Sequence, residues 1–355
     1  MSDPEITCEK EGRCGVITLN RPHALNALTL HMVREIARAL DLWEGDPAVQ
    51  CVLVKAAGDR AFCAGADIRI LHELGKAQRF AEQLAFWREE YILNRRIKLY
   101  PKPYVSLIDG IVMGGGAGIS AHGSYIVAGD KYSFAMPEAG IGFFPDVGAT
   151  FFLPRLPGKT GAYLALTGAR MNCGDAVAFG LANAHAPSQR FAALAQRLVH
   201  GEDVSAAIAA ESAPPPVSSL AGQRHFIDGC FGAPTLSAIL EEIDDAGYGG
   251  SEFALATYDT IRAKSPTSLA IALRQMQIGA SLDIDEAMRT EFRIVSRIAK
   301  GHDFYEGVRA VIIDKDNRPI WNPAEIEALK PADIDPYFAP LTDGELEFSA
   351  EAHAP

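Results

Sequence analysis

Tyr104-Val105-Ser106-Leu107-Ile108-Asp109-Gly110-Ile111-Val112-Met113-Gly114-Gly115-Gly116, residues 104–116, decides the fold class. Tyr104 to Ile108 reads as a buried strand, and the glycines behind it read as a tight strand-to-helix turn. The same arrangement occurs earlier. Val52-Leu53-Val54 is a buried strand, followed by the small-residue turn Phe62-Cys63-Ala64-Gly65-Ala66-Asp67-Ile68. Cys14 to Asn20 is a short β-rich run ended by Arg21-Pro22, and Tyr125-Ile126-Val127 is a fourth strand. Between them Thr29 can cap a helix on which Leu30, Val33, Ile36, Ala37 and Leu40 keep helical period, stopped at Asp46-Pro47. Residues 76–97 read as one long helix. Strands alternating with helices predict an α/β architecture with crossover connections.

After about residue 160 the strands are expected to stop and helices such as Phe191–Leu198 and Ser268–Ile278 to take over. Ala213-Pro214-Pro215-Pro216 is the best linker, because prolines cannot continue a helix. The expected division is a core over 1–210 and a mainly helical C-terminal extension over 211–355 that packs on it. The acidic, proline-containing tail after Pro331 is expected to pack loosely or fray.

Composition narrows the function. Of 355 residues 48% are hydrophobic, and 33 basic against 45 acidic side chains leave a formal charge of −12. Enough apolar material is present for a sizeable core. The acidic balance argues against nucleic acid as a partner, since a basic stripe would be its footprint. No run approaches the roughly 18 apolar residues of a membrane span. The start, Met1-Ser2-Asp3-Pro4-Glu5, has neither the basic-then-apolar order of a signal peptide nor the Arg-rich look of a transit peptide, so a cytoplasmic setting is expected. Cys8, Cys14, Cys51, Cys63, Cys173 and Cys230 form no C-x-x-C pair and read as free thiols. The nine histidines include no H-x-x-x-H pair, and no metal site is visible.

Three partial motifs fail on inspection. Gly158-Lys159-Thr160 lacks the phosphate loop's first glycine, because Leu153 stands there. No register of Gly114 to Gly118 satisfies G-x-G-x-x-G. Gly118-Ile119-Ser120-Ala121-His122 resembles a nucleophile elbow, but His122 replaces its second glycine.

Better candidates for chemistry are the two glycine-rich turns and two acids. Each turn can leave backbone N–H groups free at a helix start, and small residues let a substrate oxygen approach them. A pair of such donors is what an oxyanion hole requires. Glycine also serves plain tight turns, so spacing alone leaves both readings open. Glu138 and Asp146 lie in the apolar, Gly/Pro-rich stretch 133–148. Apolar surroundings raise a carboxyl pKa and suit it to acid–base work. Turn or capping acids would look the same taken singly.

In combination and order these segments resemble the crotonase (enoyl-CoA hydratase/isomerase) superfamily. The resemblance is carried by Arg21-Pro22, Leu25-Asn26-Ala27-Leu28, F-C-A-G-A-D at 62–67, M-G-G-G at 113–116 and M-P-E at 136–138. Within it the chain is most similar to the 3-hydroxyisobutyryl-CoA hydrolase branch. That similarity rests on Arg88-Glu89-Glu90-Tyr91, Phe144-Pro145-Asp146-Val147-Gly148, Phe152 to Leu156, Leu164 to Gly168, Ser265 to Leu269, Gly301 to Phe304 and Glu306 to Asp316. The implied fold is a crotonase-like spiral of ββα repeats with a helical C-terminal part. The implied reaction is thioester hydrolysis of 3-hydroxyisobutyryl-CoA in valine breakdown, with CoA as part of the substrate and no separate cofactor. 3-Hydroxypropionyl-CoA is a second candidate substrate, since one methyl group is worth only about 1–3 kcal/mol of discrimination.

By family position the oxyanion donors map onto the N–H groups of Ala66 and Gly115, and the catalytic glutamate onto Glu138. Asp146 falls at the second acid, and Glu90 at a substrate contact beside Asp67 and Phe143, with Phe143-Phe144 walling the acyl pocket. Arg21, Ala64 and Arg69 are the CoA-binding candidates, with Lys55 nearby in sequence. A homo-oligomer is implied by the family's trimers and hexamers, unless the helical C-terminal half covers that surface. One departure is informative. An enoyl-CoA hydratase would carry a first glutamate where this chain has Gly118, and a glycine where it has Asp146. The acid pair has moved, which favours hydrolysis over hydration. A short-chain enoyl-CoA hydratase/isomerase is the rival activity, and a non-catalytic acyl-CoA-binding scaffold the rival class.

Overall fold

The computed structural model describes residues 4–348; Met1-Ser2-Asp3 and the last residues of the tail lie outside the described residues. Strands β1 (Ile6–Glu11) and β2 (Cys14–Leu19) pair antiparallel as an edge hairpin. β1 is an addition to the expected strands. It is a half-exposed edge whose Glu9, Lys10 and Glu11 hide the apolar signal.

The chain then repeats one unit. β3 (Cys51–Ala56) leads to β4 (Ala61–Cys63), β5 (Tyr104–Ile108) to β6 (Ile111–Met113), and β7 (Tyr125–Ala128) to β8 (Ser133–Ala135). In each pair the first strand joins a large sheet and the second a small one. With β9 (Met171–Asn172) and β10 (Ala184–His185), the orders are β1-β2-β3-β5-β7-β10 and β4-β6-β8-β9. The expected spiral of ββα units is therefore present. β9 and β10 correct the expectation that strands stop near 160; at two residues each they are too short to show a period.

Local chemistry explains the helices between. Thr29 Oγ1 accepts the Met32 N–H and starts helix Leu30–Glu44, which buries Val33, Ile36 and Leu40. The long helix expected over 76–97 is present as Phe80–Leu99, and a separate helix not expected, Ile68–Lys76, precedes it across Gln78 with φ +57°. The amide of Gln83 donates to the Leu71 carbonyl (2.9 Å) and ties the second helix back to the first. Ser265 caps Pro266–Ile278 by accepting the Ser268 N–H.

One apolar cluster runs from Ile6 in the first strand to Leu346 near the end of the described chain. The proline stretch lies along the core rather than free of it: the Ala213 N–H donates to the His185 carbonyl (2.9 Å), and the Pro216 carbonyl presses on Gly174. The tail as far as residue 348 packs, against the expectation of fraying. Pro331–Phe338 is helical, Leu346 is buried, and Arg88 donates to the carbonyls of Gly344 and Glu345.

What positions the site is the small sheet. β4 and β6 are parallel neighbours, so both glycine-rich turns leave from the same edge and meet.

Candidate active site

The two turns present two main-chain donors side by side. Gly65 has φ +111° and Gly114 φ +45°, conformations that need glycine. The parallel bridge between Leu28 and Ala66 uses the N–H groups of Leu28 and Asp67, which leaves that of Ala66 free. Gly115 opens a short helix, so its N–H has no intrahelical partner. Among the described residues neither donates to a protein acceptor. A Cβ placed on Gly115 would lie 3.5 Å from Ala66 N, which shows how close the two donors are.

They open into a cavity of about 390 Å³. Its walls bring together Ala64, Ala66, Gly115, Glu90, Glu138, Asp146 and Phe143 from the expected site. Glu138 follows Met136-Pro137 beyond β8 and begins the short helical turn Glu138–Ile141. Its Oε1 lies 3.3 Å from the Cβ position of Gly114, beside the donor turn, and its Oε2 is buried without a partner. Asp146 Oδ2 accepts the Tyr91 hydroxyl (2.9 Å). Glu90 Oε1 is buried without a partner, 2.5 Å from where a Gly115 side chain would begin. Any residue but glycine at 115 would therefore collide with that carboxylate.

Burial governs the electrostatics. It pushes Glu138 well above the usual carboxylate range, the Asp146 charge adds to this, and the Lys264 ammonium opposes it. Burial takes Asp146 up to about 7 against the Tyr91 hydrogen bond, and it raises Glu90 well above the usual range too. A carboxyl held near neutrality, as Asp146 is, can trade protons at physiological pH.

Several candidates stay out of the cavity. Arg21 is spent on Glu5 (3.0 Å), Asp67 (3.1 Å) and the Ala27 carbonyl (2.6 Å), so Arg21 and Asp67 neutralise each other. Arg69 donates to the Ile312 carbonyl (2.6 Å) and clamps the C-terminal part. Lys55 lines a different cavity with Asp109 and Gln196. Phe143 walls the site and stacks on Trp87 (centroids 5.5 Å apart), whereas Phe144 lies in the core. At Gly158-Lys159-Thr160 the Asp228 carboxylate takes the Lys159 N–H (2.7 Å), where an anion would sit in a phosphate loop. Ser120 donates to the Gly116 carbonyl (2.7 Å) and is no exposed nucleophile.

The structure adds residues that were not anticipated. Trp87 stacks on Phe143 in the cavity wall, and Lys264, Val311 and Ile312 reach the cavity from the C-terminal half. Lys264 is the only cation among the cavity's lining residues; its Nζ lies 3.5 Å from the Cβ position of Gly140 and has no hydrogen-bond partner among the described residues. Its one signal in the sequence is its place just before the Ser265-Pro266 helix start. At Gly118 a Cβ would sit 2.7 Å from Val147 Cβ and 2.8 Å from Asn94 Nδ2, so this backbone has no room for a glutamate there.

Comparison with known proteins accords with this geometry. A family described as Enoyl-CoA hydratase/isomerase matches residues 14–338. The mitochondrial 3-hydroxyisobutyryl-CoA hydrolase of Danio rerio is 44% identical over 97% of this chain and 91% of its own length. That of Homo sapiens is 44% identical over 97% and 91%. A carnitinyl-CoA dehydratase from Mycobacterium thermoresistibile superposes with a TM-score of 0.93 at 40% identity, covering 98% of this chain and 100% of that one. The names of these hydrolases correct the cytoplasmic setting expected from the N-terminal residues, since the relatives are mitochondrial proteins.

Proposed function

Since this chain belongs to the enoyl-CoA hydratase/isomerase family, in its 3-hydroxyisobutyryl-CoA hydrolase branch, we propose that it hydrolyses the thioester of 3-hydroxyisobutyryl-CoA to 3-hydroxyisobutyrate and free CoA. Valine breakdown is the setting that this substrate implies. The observation that carries hydrolysis over hydration is the position of the acids. Asp146 lines the same cavity as Glu138, and position 118, where a hydratase's other glutamate would be, is closed by Val147 and Asn94.

In this reading the thioester carbonyl lies between the N–H groups of Ala66 and Gly115. As the carbonyl carbon is attacked, negative charge grows on its oxygen. Fixed donors then stabilise the transition state more than the ground state, by about 3–4 kcal/mol per donor in comparable sites. Glu138 supplies the attacking oxygen, either its own or that of a water whose proton it takes. The C–S bond breaks, the thiolate leaves with a proton as free CoA, and one water is consumed with no cofactor. Asp146 and Glu90 face the hydroxyacyl end, where a carboxylate can accept the 3-hydroxyl. Trp87 and Phe143 limit the acyl chain's bulk.

The test is release of free thiol from 3-hydroxyisobutyryl-CoA, run beside loss of the double bond in methacrylyl-CoA. Thiol release without hydration is expected. Glu138→Gln should lower kcat by more than about a thousandfold while CoA still binds. Hydration without thiol release, or wild-type turnover in that variant, would sink the proposal.

A further inference from the structure

The turn that delivers Asp146 is strained. Val147 has φ +54°, a left-handed conformation rare for a β-branched residue, and Gly148 follows at +86°. Such strain persists only where the surroundings over-determine it. Here buried groups from four separate parts of the fold do so. Glu291, on helix Ile284–Ile298, accepts the Gly148 N–H on Oε2 (2.6 Å) and the Thr150 N–H on Oε1 (2.9 Å). Gln275, on helix Pro266–Ile278, donates to the Pro145 carbonyl (2.9 Å) and to Thr150 Oγ1 (2.7 Å). His122 Nε2–H donates to the Val147 carbonyl (2.7 Å), and Tyr91 holds Asp146 itself. Glu291 and Gln275 are fully buried, and neither is among the cavity's lining residues. A buried carboxylate is costly to keep, and nothing in the hydrolysis calls on this one directly.

We propose that Glu291 is a positioning residue for the hydrolysis. Its carboxylate, seconded by Gln275 and His122, locks the strained 145–150 turn so that Asp146 is presented to the acyl end of the substrate. The proposal rests on the reading of the site given above. Both Glu291 oxygens accept N–H groups, an arrangement that suits the ionised form. Its charge also faces Asp146. The other titratable or charged groups around Asp146 are Glu90, Glu138 and the Tyr91 hydroxyl, with Lys264 facing Glu138; His122 behind the turn stays neutral, pushed down to about 4 by burial. Glu291 itself is raised to about 8, by burial first and the Asp146 charge second. Its charge also helps hold Glu138 up, so removing that charge makes Glu138 easier to ionise.

The experiment compares wild type, Glu291→Gln, Gln275→Met and Asp146→Asn in hydrolysis of 3-hydroxyisobutyryl-CoA across pH, with thermal melting to establish folding. In Glu291→Gln, kcat is expected to fall roughly 10- to 100-fold through misplacement of Asp146. KM should stay within about threefold, the pattern of an interaction made in the transition state. The acidic limb of kcat/KM should move to lower pH. In Gln275→Met, kcat should fall with the limb unmoved, because no charge is lost. Wild-type kcat in either variant, once shown to be folded, overturns the proposal. Asp146→Asn at the wild-type rate would instead overturn the role given to Asp146. A wild type that releases no thiol would overturn the hydrolase reading itself.

Discussion

Lys264 places an ammonium in a cavity lined by the carboxylates of Glu90, Glu138 and Asp146. Burial pushes its pKa down, and the Glu138 charge pulls it back up. In return it opposes the upward push on Glu138, which burial, Asp146 and Glu291 all supply. The sign of a substitution follows. Lys264→Met removes a cation that favours ionised Glu138, so the acidic limb of kcat/KM should move to higher pH and activity near neutrality should fall. An unmoved limb would show that the ammonium does not act on Glu138. This residue was not foreseen, and the reason is physical. Glu138 and Gly115 sit in turns only a few residues long, so their neighbours in sequence betray them. Lys264 acts across the fold from the bend between two helices and Glu291 from a helix, and neither local pattern shows what such a residue faces. Val147 gave even less sign, because a β-branched residue is the last expected at positive φ.

Among the elements, the connection from Glu211 to Leu220 is the informative one. Three prolines mark it as irregular, and irregular it is, yet it is not loose. Asp175 is fully buried and accepts from Ser218 Oγ (2.7 Å), Ser219 Oγ (3.0 Å), the Leu220 N–H (2.9 Å) and the Asn172 N–H (3.2 Å). The same carboxylate closes the capping box that starts helix Cys173–Ala178. Asp175→Ala should cost about 2–3 kcal/mol, because several buried donors lose their acceptor. It should lower the melting temperature and expose residues 212–220 to proteolysis while kcat holds. A variant that melts like wild type and resists cleavage would show that the prolines alone hold the segment. Composition could mark this stretch as a connection. It could not show that a carboxylate distant in sequence fastens it, because no local pattern encodes that contact.

Across the whole molecule, the apolar cluster continues past residue 210, and the cavity takes Lys264, Val311 and Ile312 from beyond it. The full chain should therefore unfold in one cooperative transition by calorimetry, and a fragment ending at 210 should show none. Separate transitions, or a cooperatively melting fragment, would mark two independent cores. The alternation of strands and helices was readable because two repeats announce a strand and a glycine-rich turn locally, and the spiral followed only from the family resemblance; the closing of the site by the C-terminal half was not readable, because it depends on surfaces that meet only when folded. The paired turns have a last consequence. The donors at Ala66 and Gly115 are amides of the main chain, so among the twenty amino acids only proline, which also fixes φ, can delete them. A map of mutational tolerance would record position 115 as intolerant for the bulk it cannot hold beside Glu90, and position 66 as unremarkable outside proline. To remove either donor without proline's ring and fixed φ, the peptide bond must become an ester, oxygen in place of N–H, by chemical synthesis or an α-hydroxy acid read into the chain.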